Sequence, residues 1–400
     1  VQIIANTKNG KNTPVYYAVS SRQEIANVAA NNQIITIIGI KVGKTKIIVI
    51  DDANGRAIAE FDIEVVDNSN VIPTPIPDPN TPSDPTTPTE PGVVNENEIG
   101  PLDSPFSINF TDQILNFKSI PFGRFIRGDH SPAGKAEALP LHFVTLTTSF
   151  WMSEFEVTNE QYIAFLNAEE TSLRLKDGII SGDYNHDGVD EVWLKIKPLS
   201  LGFIEANITV SEENKNHPIT EVSWYGAMAY CKWLSATQAG TYRLPTDAEW
   251  EYAARGNQAN DVGFIIYTRY PWGLDVYDDV YANVFGKNGV DTYVVAATIG
   301  AFPLGKTLLG LQDTIGNVAE WCFDTYEAYD STAKIDPLGA DTVGDKVYRG
   351  GSWADPSSQI SVSNRSALDP VKTSPTIGFR IARFANGTDP LKIHESVSTQ

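Results

Sequence analysis

Residues 71–91, VIPTPIPDPNTPSDPTTPTEP, forbid any packed domain from running through them, because eight of the chain's 24 prolines fall here. Proline locks φ and removes an amide donor. The stretch is therefore expected to stay extended and polyproline-like, reaching up to about 65 Å at about 3.1 Å per residue. Its alternation with Thr and Asp reads as a spacer; a ligand for proline-binding modules is the alternative. A Pro/Thr-rich linker at 69–100 thus splits the 400 residues into a small unit, 1–68, and a large unit, 101–386, followed by a tail at 387–400.

The small unit alternates in the manner of strands. VYYAV, IITIIGI, KIIVID and EFDIEVV are separated by NN, KVGKT and DDANGR turns, the rhythm of an all-β sandwich. In the large unit, capping signals mark three helices. Thr158 and Gln161 form a T-x-x-Q box ahead of Tyr162, Phe165 and Leu166 on one face. Ser223 opens the second, where Ala227, Tyr230, Cys231 and Leu234 follow the i, i+3, i+4, i+7 rule and turn Cys231 inward. Thr246 and Glu249 box the third, and Gly256 stops it. Between them lie strand-poor stretches rich in Gly and Trp, an irregular α+β pattern.

Hydrophobic residues make up 42% of the chain, enough for at least one large core. No apolar run approaches the roughly 18 residues that span a membrane. A net charge of -20 argues against nucleic acid or an anionic membrane as partner, and suits calcium and an exported, solvated protein. The chain opens on Val1 without a basic-then-apolar leader, which reads as a mature or trimmed protein of the extracellular space or the bacterial cell surface. Cys231 and Cys322 lack CxxC spacing, which excludes a cysteine zinc cluster and allows at most one disulfide.

DTIGNVAEW, residues 313–321, carries the clearest chemistry. Asp313 and Glu320 bracket a Gly-Asn turn, in which Gly316 lets main-chain carbonyls point inward. An all-oxygen loop of this kind can wrap calcium; a tight turn whose Glu320 accepts backbone N–H bonds is the plainer alternative. YRGGSW then reads as a short strand ending in a Gly-Gly bend, and IGFRIARF as a strand in which Ile377, Phe379 and Ile381 alternate with Gly378, Arg380 and Ala382. The polar, proline-broken residues between them read as a displayed loop. Trp353, Asp355, Ser357, Ser358, Gln359, Ser361 and Ser363 set small hydroxyl, amide and carboxylate groups beside an aromatic, a mix suited to binding.

The run EIANVAANNQIITIIGIKVGKTKIIVIDD with EFDIEVV resembles the bacterial Ig-like group 2 domains, mostly spacers on exported proteins; a generic Ig-like sandwich fits these residues nearly as well. In the large unit, IPFGRFIRGD, EVTNEQYIAFLN, HPITEVSWYGAMAYCKWL, YRLPTDAEWEYAARG, YPWG, YANVFG, GNVAEWCFD, YRGGSW and IGFR follow one another over roughly 106–385. In that order they resemble the formylglycine-generating, or sulfatase-modifying factor, family. The resemblance implies a C-type-lectin-like fold and two calcium positions. One takes the side chains of Asp313 and Glu320 and the carbonyls of Gly316 and Val318. The other takes the side chains of Asn283 and Asp291 and the carbonyls of Val284 and Tyr293.

The catalytic part of the pattern is missing. The family's oxidases hold copper(I) through two cysteines a few residues after GGS-aromatic, since a soft ion needs thiolates, and ADPSSQISVS has none. An insertion at 171–216 contains GDYNHDGVDEVWL, in which Asp183, Asn185, Asp187 and Glu191 occupy positions 1, 3, 5 and 9 of a calcium loop, with Leu194 at position 12. A plain Asx-rich hairpin is the alternative.

These readings converge on an exported, non-catalytic recognition protein: an Ig-like spacer, a stalk, and a calcium-stabilised lectin-like head that binds a surface protein or glycan. The variable proteins of diversity-generating retroelements, which share the fold and diversify residues between GGSW and GFR, are the sharper version. An oxidase of the formylglycine-generating type, or another metal-dependent oxidoreductase, is the competing class.

Overall fold

The computed structural model describes the strands within residues 2–65 and, between 107 and 384, all but 111–112, 130–134, 170–172, 197–200, 205–206, 257–268, 273–278 and 286–292, together with residue 389. The linker and position 291 lie outside the described residues. The chain divides into two units, Val1–Val94 and Asn95–Gln400.

Among the described residues of the first unit, six strands form two three-stranded sheets. One pairs Gln2–Ile4 and Ala26–Asn31 with Ile34–Gly39; the other sets Gly43–Asp51 between Tyr16–Ser20 and Arg56–Val65. All of these pairings are antiparallel.

Among the described residues, mixed sheets and three α-helices build the second unit, and the helices begin where the capping residues place them. Helix α1, Asn159–Ala168, and helix α3, Asp247–Arg255, both start with complete capping boxes, Thr158–Gln161 and Thr246–Glu249. Helix α2, Trp224–Thr237, is capped by the Ser223 side chain. Such caps are worth about 1 kcal/mol each. Gly256 ends α3 in the left-handed conformation, which glycine adopts without a Cβ penalty.

Aromatic rings weld α1 to α2: Tyr162 stacks on Tyr230, and both meet Phe379 edge-on. Trp193, from the insertion, stacks on Phe165 of α1. The insertion's three-stranded sheet is therefore not a surface appendage, since its last strand, Glu191–Lys195, delivers Trp193 and Leu194 to this core.

A four-stranded sheet, in the order Arg365–Leu368, Lys346–Arg349, Ala319–Thr325 and Ile377–Gly378, collects the three C-terminal motifs. Glu320 is flanked by Arg349 on one side and Gly378 on the other. IGFRIARF differs from the single half-exposed strand expected of it. It breaks into Ile377–Gly378 and Ala382–Phe384, in different sheets, and Arg380 between them is fully buried. Alternation implied a solvent face, but this segment is covered on both sides, and an ion pair takes up the charge. The chain past 386 also contributes, because Asp389 is buried against Arg243, 3.1 Å from its Nε.

Asp324 gives the fold a pH signature. It accepts a 2.8 Å bond from the Asp247 amide at the start of α3. Burial, followed by repulsion from Asp247, raises its carboxyl to about 7. The folded state therefore keeps a proton that the unfolded chain, with a carboxyl near 3.9, releases. The sign follows from linkage: this contribution is complete below about pH 4 and is lost as pH rises through 7. Asp324→Asn should accordingly be more stable than the parent at pH 8 and show a flatter fall in urea midpoint between pH 5 and 8. An unchanged pH profile would exclude the assignment.

Candidate functional site

The loop that follows Lys346–Arg349 is fastened at its feet and along its backbone. Gly350 and Gly351 turn it with φ of 91° and 74°, and a Cβ on Gly351 would collide with Ile360. Only glycine meets both demands. At the two feet, Arg349 and Arg365 reach the same carboxylate, Asp247 of α3, with Arg365 Nη2 2.8 Å from Oδ2. Burial would raise Asp247, but Arg127, Arg349 and Arg365 hold it well below the ordinary carboxylate range.

Further along, the turn Ser357–Gln359 is gripped through its carbonyls. Tyr270 donates its hydroxyl to Ser357 O at 3.1 Å, Arg269 donates to Ser358 O and Ile360 O, and Lys135 Nζ donates to Gln359 O at 2.7 Å. None of these bonds uses a side chain of the turn. The side chains of Ser358 and Gln359 are exposed, and that of Ser357 is partly so. Beside them Phe285 donates its amide to Asp355 O at 2.9 Å and is 65% exposed. The half-buried Trp353 has an indole N–H without a partner.

The binding set read from the sequence narrows accordingly. Ser361 and Ser363 are 7% and 3% exposed and bond each other at 2.9 Å. They flank Val362, which with Ile360 enters a core cluster, so this half of the loop packs down instead of facing outward. Asp355 directs Oδ2 at the amide and hydroxyl of Ser352, at 2.9 and 2.8 Å, and so shapes the bend. Trp353, Ser357, Ser358 and Gln359 remain as the outward part. Sequence reading missed Phe285, Lys135 and Arg269, which lie 70 or more residues before the residues they bond. The F of YANVFG, an aromatic ending a turn-rich stretch, was the available hint.

The calcium candidates divide. Among the described residues, no three His, Cys, Asp or Glu side chains come together as a metal cluster; any calcium here would rely on amide and main-chain oxygens as well. Asn283 fits such a role: it is buried, its Nδ2 donates to Val295 O and Asn317 Oδ1, and its Oδ1 has no donor. Val284 is buried beside it, Tyr293 packs on Phe302, and Asp291 lies outside the described residues. Gly316 and Val318 lie in the turn that carries Asp313, whose Oδ2 accepts from the Gly300 amide at 2.6 Å. Glu320 does not fit. Both its oxygens are occupied, by Arg380 at 2.6 and 2.7 Å and by the Trp250 indole at 2.6 Å. The plainer alternative, that Glu320 is an acceptor within the fold, describes this carboxylate, with side-chain donors in place of backbone ones.

In the insertion, Asp183 accepts the amides of Asp187 and Gly188, Asn185 also accepts that of Asp187, Asp187 accepts that of Val189, and Glu191 accepts that of Tyr184. Asn185 and Asp187 are exposed at the tip of this hairpin, and Asp183 and Glu191 are partly buried. Cys231 and Cys322 are buried in different core clusters and form no disulfide, and burial raises both thiols.

Residues 110–385 match the sulfatase-modifying factor enzyme 1-like domain. The formylglycine-generating enzyme of Mus musculus is 30% identical over 289 residues, covering 66% of this chain and 73% of that protein. The serine/threonine-protein kinase Pkn1 of Chlamydia trachomatis is 30% identical over 268 residues; the match covers 66% of this chain but only 37% of the kinase. PvdO of Pseudomonas aeruginosa shares the fold, with a TM-score of 0.53 and 23% identity over 70% of this chain and 97% of that one.

Proposed function

Because the chain belongs to the sulfatase-modifying factor enzyme 1-like family, we propose that it uses the family's C-type-lectin-like fold to bind a ligand without performing oxidation. The observation that carries this reading is the grip on the 357–360 turn by Lys135, Arg269 and Tyr270, all through main-chain carbonyls. Side chains freed from structural duty, next to an exposed Phe285 and a Trp353 with an unpartnered N–H, combine apolar anchors with adaptable hydrogen bonds. No cysteine lies between Gly351 and Ile377, and soft copper(I) chemistry has no thiolate pair to use there.

Export to the bacterial surface is part of the same proposal. It is supported by the net charge of -20 and by the proline-rich stretch, which would hold the head away from an attachment point. Among the described residues no helix is long and apolar enough to cross a membrane. The ligand would be a surface protein or glycan, and calcium at Asn283 would stiffen the head behind the loop. A diversified loop is the sharper form, testable by looking for a near-copy of the codons for 353–380 beside a reverse-transcriptase gene.

The decisive experiment is a glycan and surface-protein array probed with the parent and with Phe285→Ala combined with Ser358→Ala and Gln359→Ala. Exposed substitutions shift stability by no more than about 0.5 kcal/mol each. The thermal transition should therefore stay nearly in place while binding to the parent's hits falls at least about tenfold, or about 1.4 kcal/mol. Retained binding would move the recognition surface elsewhere.

A further inference from the structure

Lys135 differs from an ordinary clamp on the 357–360 turn, because its charge meets only neutral partners. Its ammonium donates to Gln359 O and to Asn364 Oδ1, both at 2.7 Å. An ammonium has three N–H donors, so the third is left for a ligand. Among the described residues no carboxylate forms an ion pair with this group. Asp355 turns Oδ2 to the amide and hydroxyl of Ser352, and Asp129 accepts the backbone amide of Lys135 at 3.2 Å. Burial lowers the ammonium's pKa in spite of the nearby charges of Glu137, Asp355 and Asp129. A half-buried cation without a counter-ion is unexpected in a chain of net charge -20.

The groups around it define what could supply the missing charge. Arg269 brings a second positive group to the adjoining carbonyls of Ser358 and Ile360. The exposed Ser358 and Gln359 each both donate and accept hydrogen bonds. Phe285, 65% exposed, is tied to Asp355 O, four residues before Gln359. Four residues span at most about 14 Å, so aromatic face, hydroxyls and ammonium fall within reach of one short ligand.

We propose that this surface takes an acidic glycan: its carboxylate pairs with Lys135, its hydroxyls meet Ser358 and Gln359, and the C–H face of a sugar ring lies on Phe285. The proposal rests on the reading of the 357–360 turn as the recognition surface, and adds the charge of what binds there. Side chains that bond in both directions suit a hydroxyl-rich ligand. An acidic peptide, the other carboxylate source, offers few hydroxyls, and a run of its carboxylates would be repelled by the chain's own charge.

The test presents the full chain with an array of sialylated and uronic-acid oligosaccharides, each beside the same oligosaccharide with its carboxylates reduced to alcohols. The parent should bind at least one acidic form at least tenfold more tightly than its reduced counterpart, and the preference should shrink as salt approaches about 1 M. Lys135→Met should lose the preference and Lys135→Arg keep it. Equal binding of acidic and reduced forms would overturn the proposal, and so would an acidic preference that survives in Lys135→Met, or capture of acidic peptides but no glycan. Should Lys135→Met fail to fold, the acidic-against-reduced comparison on the parent decides alone. Failure of the recognition surface itself looks different: glycan binding would then be untouched in the variant combining Phe285→Ala, Ser358→Ala and Gln359→Ala.

Discussion

Asp247→Ala should cost about 3–5 kcal/mol, the range for breaking a buried ion pair from one side. The carboxylate answers Arg127 at 2.6 Å, Arg365 at 2.8 Å and Arg349, and all four groups are at most 4% exposed. Its removal leaves Arg127 and Arg349 sharing Glu251, which also serves Arg255 at 2.7 Å, and leaves Arg365 with the carbonyls of Glu137 and Glu327. Because burial and then repulsion from Asp247 raise Asp324 to about 7, loss of Asp247 lets Asp324 ionise more easily, so the deficit should be smaller at pH 8 than at pH 6. Asp247→Asn keeps the shape and loses the charge, and should fall between parent and alanine variant. Urea unfolding of the full chain measures this. An alanine variant within about 1 kcal/mol of the parent would mean that the arginines find other partners.

Arg380→Ala should be comparably severe, for a different reason. A guanidinium has five N–H donors, and here five bonds account for them: two to Glu320 and one each to the carbonyls of Ser153, Glu154 and Gln312. Truncation strands the buried Glu320 and removes the donors to three carbonyls, one buried and two partly so, and a loss of about 3–5 kcal/mol is expected. Arg380→Lys restores the charge but not the planar fork. It should recover only part of the loss, read as the urea midpoint. Full recovery by lysine would show that charge alone matters at this position.

How much of this could be read in the sequence depends on the range of each interaction. The helices were legible because capping is local: Thr158 and Gln161, or Thr246 and Glu249, stand three residues apart and meet within one turn. The glycine bend at 350–351 was legible for the same reason. Arg380 was not, since a period-two pattern tells which residues share a face but not whether that face is wet. Ser361 and Ser363 looked like surface residues by type, yet the apolar Ile360 and Val362 between and before them draw the backbone inward. Glu320 was recognised as a site residue, but its occupant, Arg380, lies 60 positions away. Phe285 and Lys135 reach the loop from 71 and 224 positions before their partners, Pro356 and Gln359.

Fastening both feet of the 350–364 segment to Asp247 also sets how readily it can be rewritten in length. The separation of its ends is fixed by α3, so added residues between Ser358 and Gln359 need not hold the segment closed. Loop-closure entropy rises by only about 0.6 kcal/mol for each doubling of length. That makes the exposed turn a natural insertion point: a foreign peptide placed there would enter an already closed clasp, and the head would carry it as cargo with its own core undisturbed.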